Sequence, residues 1–204
     1  MDRGGRDRTG ASASRSIAVF CGSSAGRSPT YRSVAEAVGV ALAERGCRLV
    51  YGGGHVGLMG AVADATLSAG GSVTGVITEQ LLALEVAHQG LTELEVVADM
   101  HLRKARMAEL ADGVIVLPGG FGTFEEMFEI LTWNQLGILS MPVVLLDVDG
   151  FYTPLVELVA GAVQAGFMRP DHGALLVRVE DPADAVDAAL APAAAYVPKW
   201  VGSR

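Results

Sequence analysis

Three times in the first 125 residues, a short run of β-branched and apolar residues ends in a cluster of glycines that opens a helical segment. Ile17–Cys21 runs into Gly22, Ser23, Ser24, Ala25 and Gly26. Leu49–Tyr51 runs into Gly52, Gly53, Gly54 and then Gly57, and Val114–Leu117 runs into Pro118, Gly119, Gly120, Phe121, Gly122 and Thr123. Apolar strands alternating with longer Ala- and Leu-rich segments of helical period are the pattern of βαβ units. Strands are expected at 17–21, 48–51, 72–77, 93–97, 113–117, 143–147 and 175–179. Helices are expected at 30–44, 58–69, 100–111, 124–136, 152–165 and 182–190. Several of the strands are apolar on both faces, as strands covered by helices on both sides must be. The expected fold is therefore α/β, a Rossmann-like doubly wound parallel sheet flanked by helices on both faces. It forms a single nucleotide-binding domain over residues 16–192, between a disordered tail (1–15) and a C-terminal tail (193–204).

Composition narrows the partners. The formal charge is -8, divided as +2 over the first fifteen residues and -10 over the rest. An acidic body repels polyanions, so no nucleic-acid partner is expected, and any anionic ligand must be held by local groups. Only two cysteines occur, Cys21 and Cys47, with neither a disulfide framework nor metal-ligand spacing. They read as small buried hydrophobes in a cytoplasmic protein. No run approaches the length of a membrane span, and the N-terminus lacks the apolar stretch of a signal peptide. His55, His88 and His172 are isolated in sequence and suggest no metal site.

The chain has 26 glycines in 204 residues, nearly twice the usual share of about 7%. Glycine lets backbone approach a ligand closely, and a helix N-terminus offers unpaired N–H donors with a partial positive charge, so these junctions suit a phosphate. Any one of these glycines could equally serve only to turn a corner or to let a helix pack. No Gly-Lys-Ser/Thr follows any cluster and the first loop lacks G-x-G-x-x-G, which disfavours an NTPase or an ordinary dinucleotide dehydrogenase. Thr123 and Glu126 have the spacing of a capping box. Glu125, on another side of the helix, is expected to be solvated or bound to a different element. His101, Arg103, Lys104 and Arg106 open an otherwise apolar helix at the end where cations are disfavoured, so an anionic partner is required there. Asp99 or a ligand would serve. The stripe Met127, Phe128, Ile130, Leu131 and Trp133 is broader than one core face requires.

Pro118-Gly-Gly-Phe-Gly-Thr-Phe-Glu-Glu126 matches PGGxGTxxE, and Met100-His-Leu-Arg-Lys104 resembles MHxRK. With Tyr51-Gly-Gly-Gly-His-Val-Gly-Leu-Met-Gly60 and Val19-Phe-Cys-Gly-Ser-Ser24, these segments resemble the LONELY GUY family of cytokinin riboside 5'-monophosphate phosphoribohydrolases, long labelled lysine decarboxylases. The resemblance implies hydrolysis of the N-glycosidic bond of an N6-modified AMP, or of AMP, to free base and ribose 5-phosphate. It implies no metal, no organic cofactor and a homodimer, with the 124–136 helix near the interface.

Carried over by motif, Arg103 and Glu126 are the catalytic pair, meeting at adjacent strand ends. Glu85, Arg103, Lys104, Gly119, Gly120, Phe121, Gly122, Thr123, Phe124, Glu125, Glu126 and Thr132 form the substrate site, and the phosphate rests on the amides of 119–123. Gly22, Ser23, Gly53 and Gly54 are further candidates for the nucleotide loops. Glu126 would stabilise the sugar cation, hold its hydroxyls or activate water, while Arg103 stabilises the leaving base or the phosphate. Many relatives have proline where this chain has Thr78, which leaves the course of segment 79–90 open.

The rival chemistry of the old label requires a Schiff-base lysine, and the chain has only Lys104 and Lys199. A non-catalytic nucleotide-binding or sensing module of the same fold is the other alternative.

Overall fold

A computed structural model describes residues 14–84 and 86–198. Seven parallel strands form one sheet: β1 (Ser16–Phe20), β2 (Arg48–Tyr51), β3 (Ser72–Thr78), β4 (Glu93–Val97), β5 (Gly113–Val116), β6 (Val143–Leu146) and β7 (Leu176–Val179). Their order is β4-β3-β2-β1-β5-β6-β7, so the direction of winding reverses between β1 and β5. That switch point is where a doubly wound sheet receives its ligand. The helices are α1 (Pro29–Glu44), α2 (Gly57–Ser68), α3 (Glu79–Ala83), α4 (Met100–Leu110), α5 (Phe121–Gln135), α6 (Thr153–Gln164), α7 (Pro170–Gly173) and α8 (Pro182–Leu190).

Alternation along each strand builds two cores. Ile17, Val19, Leu49, Tyr51, Ile115 and Leu117 face α1, α2 and α8. Ala18, Phe20, Val50, Val114 and Val116 face α4, α5 and α6, whose Met107, Ala108, Met127 and Ile130 close the second layer. All of these side chains are buried, so β1, β2 and β5 are covered on both sides as expected, while the edge strands β4 and β7 are partly exposed.

Helix starts are set by side-chain caps in several places. Ser28 accepts from the Thr30 amide before Pro29 opens α1. Asp99 accepts from the Leu102 amide at 2.9 Å and fixes the start of α4, and Asp181 caps α8. Each side-chain oxygen satisfies a backbone donor that the first turn leaves free.

Two short helices, α3 and α7, were not expected. Thr78 accepts from the Leu81 amide at 3.3 Å and starts α3, which gives a course to the segment that this residue left open. A larger difference concerns α5. It begins at Phe121 instead of 124, with Gly120 as an N-cap that offers no side-chain bond. Thr123 therefore lies inside the first turn, buried, and the expected capping box with Glu126 does not form.

Residues 193–198 lack regular structure but lie against the sheet's α5 side. The Val197 carbonyl is 3.1 Å from His172 Nε2, and Arg169 donates to the Pro198 carbonyl at 2.8 Å. The proposed N-terminal tail falls outside the described residues except for Ser14 and Arg15; the Arg15 carbonyl accepts from Arg48 N at 2.8 Å. No described helix is long and apolar enough to cross a membrane.

The turn from β6 into α6 depends on Asp147, whose side chain is fully buried. It accepts from the Tyr152 amide at 2.7 Å and from Arg178 Nε at 2.7 Å. Asp147→Ala would leave the buried Tyr152 amide unpaired and release Arg178 to solvent, and is expected to lower unfolding free energy by about 1–3 kcal/mol. Urea denaturation of the two proteins checks this, and an unchanged midpoint would refute it.

Candidate active site

α4 leaves the edge strand β4, crosses over β3, β2 and β1, and delivers the chain to β5 in the middle of the sheet. Because Asp99 fixes its first turn, Arg103 falls one turn in, above the carboxyl ends of β2 and β3. Its Nε donates to the Val76 carbonyl at 2.9 Å, and Nη2 donates to the Gly52 carbonyl at 3.3 Å. Its Nη1 donates to Glu126 Oε1 at 3.2 Å, from the second turn of α5. Both side chains are nearly inaccessible, 8% and 12% exposed. The catalytic pair named from the sequence thus meets, but not at adjacent strand ends: β4 and β5 are separated by β3, β2 and β1. The diagonal course of α4 brings them together.

Burial holds the Glu126 carboxyl above the usual carboxylate range, and the Arg103 charge opposes this without cancelling it. Cys21, buried in the lining of the same cavity, is pushed far above an ordinary thiol by burial and by the Glu126 charge, which disfavours the nucleophilic thiolate. Cys21 and Cys47 are both buried and free, as expected.

The pair lies at a cavity of about 610 Å³. One wall is the glycine loops: Gly22 and Ser23 after β1, Gly52 and Gly54 after β2, and Gly120, Phe121, Gly122 and Thr123 at the start of α5. An apolar wall is formed by Val56, Met59, Ile77, Leu81, Val86 and Met107, with Met59 lying against Gly52 and Gly54. Both helices whose N-termini open onto this cavity, α2 at Val56 and α5 at Gly120, lack a side-chain cap. In α2 the Leu58 amide donates to the Gly22 carbonyl at 3.0 Å, which leaves the first amides of α5 as the donors available to an anion.

The glycines divide by purpose. Gly22 N donates to the Pro118 carbonyl at 3.0 Å, so the loops after β1 and β5 touch, and a Cβ on Gly119 would collide with Thr123 and Gly22. Gly53 adopts φ +75°. These serve the fold. A Cβ on Gly120 or Gly122 would meet no protein atom within 4 Å, and neither residue has positive φ. Packing does not require glycine at those two positions.

Several sequence-named residues lie off the cavity wall. Lys104 turns to α5, where its ammonium pairs with Glu125 and, at 3.1 Å, with Glu129. Burial disfavours that ammonium, but the two carboxylates outweigh it and raise its pKa. Glu125 is thus bound to another element, as expected, and the anions serving the basic cluster are protein carboxylates. Arg106 completes the set, pairing with Glu95 at 2.7 Å and Glu109 at 3.1 Å, while Asp99 serves as the cap. A permanently charged lysine between two carboxylates is a poor Schiff-base former, and Lys199 lies outside the described residues.

Phe124 packs on Phe151 and Tyr152. Gly53 and Gly119 sit just behind the wall. Thr132 is farther along α5, its hydroxyl donating to the Phe128 carbonyl at 2.7 Å. Glu85 lies outside the described residues. His88 is held by Asp64 at 2.9 Å, His55 lies 2.9 Å from the Val86 carbonyl and His172 is buried against Gln135.

Sequence reading missed the apolar wall and Glu129. The wall comes from three separate segments with no shared spacing, whereas Glu129, one turn beyond Glu125, carried a helical signal.

A family model described as "Possible lysine decarboxylase" matches residues 59–189. A cytokinin riboside 5'-monophosphate phosphoribohydrolase of Rhodococcoides fascians is 49% identical over 179 residues, 87% of this chain and 90% of that protein. One from Arabidopsis thaliana is 51% identical over 154 residues, 76% of this chain and 71% of its own length. The chain belongs to the LONELY GUY family. Among solved structures, the molybdenum cofactor binding protein of Rippkaea orientalis superimposes with a TM-score of 0.66 at 20% identity, over 87% of this chain and 96% of that one. At that identity the likeness concerns the fold alone.

The raised Glu126 carboxyl has a measurable consequence. The folded protein keeps this proton to higher pH than the unfolded chain does, so the associated stability is full at acid pH and falls as pH rises through the folded value. Glu126→Gln cannot ionise and is expected to gain stability relative to the native protein as pH rises above the ordinary carboxylate range. Urea unfolding of both proteins at each pH tests this; a difference that does not vary with pH would contradict it.

Proposed function

We infer that this protein is a phosphoribohydrolase that cleaves the N-glycosidic bond of cytokinin riboside 5'-monophosphates, releasing free base and ribose 5-phosphate. The observation that carries the reading is the buried Arg103–Glu126 pair, set in a cavity whose rim is an uncapped helix start. The 5'-phosphate is assigned to the amides of residues 119–123, where the α5 dipole favours an anion. Gly120 and Gly122 leave that approach open. The apolar wall is left for the base and its N6 substituent.

Cleavage breaks the C1'–N bond with its electron pair passing to the base nitrogen, which takes up a proton, while a water oxygen bonds to C1'. Positive charge develops on the sugar in the transition state. Ionised Glu126, engaged by Arg103 through Oε1, presents its other oxygen to stabilise that cation or to take the water's proton. Arg103, bound at three points, holds this carboxylate in place. The remote phosphate contacts position the bond within its reach.

Purified protein incubated with AMP or isopentenyladenosine monophosphate, with no metal added, is expected to release base from at least one of them. Glu126→Gln is expected to lower that rate by about 10²–10⁴ while folding normally, and a folded variant with the native rate would refute the assignment. Because ionised Glu126 is required, the acid limb of kcat/KM is expected above the ordinary carboxylate range.

Gly122→Ala fills space that no protein atom occupies, so it should leave the melting temperature unchanged. It is expected to raise KM for the monophosphate by about tenfold or more, the loss of one charge-assisted hydrogen bond. An unchanged KM would move the phosphate elsewhere.

A second copy of the chain is the proposed partner, with α5 at the interface. Phe128 is 43% exposed on that helix and Ile138, just beyond it, 63%. Light scattering at micromolar concentration should give twice the chain mass, and a strictly monomeric mass would exclude the pairing.

A further inference from the structure

We propose that Gly52 is a positioning residue for the catalytic pair: its missing side chain is the slot in which the Arg103 guanidinium lies. The proposal rests on the phosphoribohydrolase reading and adds to it a residue that acts through Arg103.

A Cβ built on Gly52 collides with Arg103 Nη2 and comes within 3.2 Å of Cζ and 3.4 Å of Met59 Sδ. These three nearest atoms all belong to side chains, and the first is the guanidinium. The Gly52 φ lies outside the left-handed region, so its backbone conformation is open to any residue. This separates it from its neighbours. Gly53 is required by φ +75°, and a Cβ on Gly54 would press on the flexible end of Met59 at 2.8 Å, with the Val86 carbonyl oxygen in ordinary contact at 3.6 Å. At position 52, the fold tolerates a methyl group that the arginine does not.

The displaced guanidinium has little room. Its Nε is tied to the Val76 carbonyl at 2.9 Å, while the Gly52 carbonyl accepts from the same Nη2 that the methyl would strike. With Nε held, Nη2 must swing out of the slot, and Nη1 turns with it because the group is planar. Nη1 is the atom that holds Glu126 Oε1 at 3.2 Å. One methyl group at the end of β2 therefore misaligns a carboxylate on α5 without touching it.

Kinetics on Gly52→Ala test this. Since the colliding atom is the movable end of a side chain, the variant is expected to fold with a melting temperature close to native. Its kcat should fall by about a hundredfold, as misplacement of a catalytic group by an ångström does, with KM changed only a few-fold. The acid limb of kcat/KM should also move up, because the charge that opposes burial of Glu126 has withdrawn.

The decisive comparison is an Arg103→Lys background, in which no forked group fills the slot. There Gly52→Ala should cost no more than about twofold, the non-additivity expected of two residues acting through one contact. A folded Gly52→Ala variant with native kcat would overturn the proposal. So would the same fractional loss in both backgrounds. If Gly52→Ala fails to fold, the Gly52→Ala/Arg103→Lys double variant should recover the fold, and its failure to do so would equally overturn it. Native protein that binds the nucleotide yet releases no base defeats the phosphoribohydrolase reading itself, and the role of Gly52 with it.

Discussion

A guanidinium and a carboxylate are costly to remove from water, and the site is organised around meeting that cost. Arg103 is tolerated at 8% exposure because carbonyls at the ends of β2 and β3 and the Glu126 carboxylate together occupy its three nitrogens. Each partner constrains a different element. The carbonyls require α4 to pass over β2 and β3, the carboxylate requires α5 to start close enough to reach back, and the register of α4 depends on the Asp99 cap. Removal of any one partner leaves a buried charge short of a bond.

The same economy bears on α2 and α5, two of the four described helices (α2, α5, α6 and α7) whose first turns lack a side-chain cap. α1, α4 and α8 close their first turns with Ser28, Asp99 and Asp181. α2 and α5 do not, and both open onto the cavity. Free amides at a helix start leave hydrogen bonds unmade in the empty protein and become donors when an anion arrives. A side-chain cap on α5 would add stability and block the proposed phosphate site. Glycine at 120 and 122, where the fold has space for more, reflects the same exchange of stability for access.

The strands, both core faces and the edge of the sheet that holds the site were legible because each rests on short-range periodicity. What failed was global or finely local. The capping box was an inference from residue types at the right spacing, yet the chain enters α5 three residues earlier, and Thr123 becomes an interior residue beside Gly119. Adjacent strand ends were inferred from motifs meeting, whereas the path of α4 across three strands is a property of strand order, which no local pattern encodes. α3 has five residues, too few for periodicity to show, and its signal was a single threonine. Glycine clusters announced a ligand site, but the sequence could not divide glycines that turn the chain from those that clear space, since that depends on what lies opposite each missing Cβ.

The fold likeness to a molybdenum cofactor binding protein at 20% identity shows that this sheet is a platform shared beyond one chemistry. The step from holding a nucleotide to cleaving it must therefore lie in a few side chains. Phosphate-binding amides and an apolar wall suffice for a binding module, and neither needs a buried glutamate. Glu126 is held above its ordinary pKa by burial, so at neutral pH its ionised form lowers the stability of the fold. A module that only binds an anion gains nothing from a second anion in its cavity, which opposes the ligand's charge. The carboxylate, its arginine and the empty space at Gly52 make physical sense together only when positive charge appears on the ligand, as it does on a ribose losing its base.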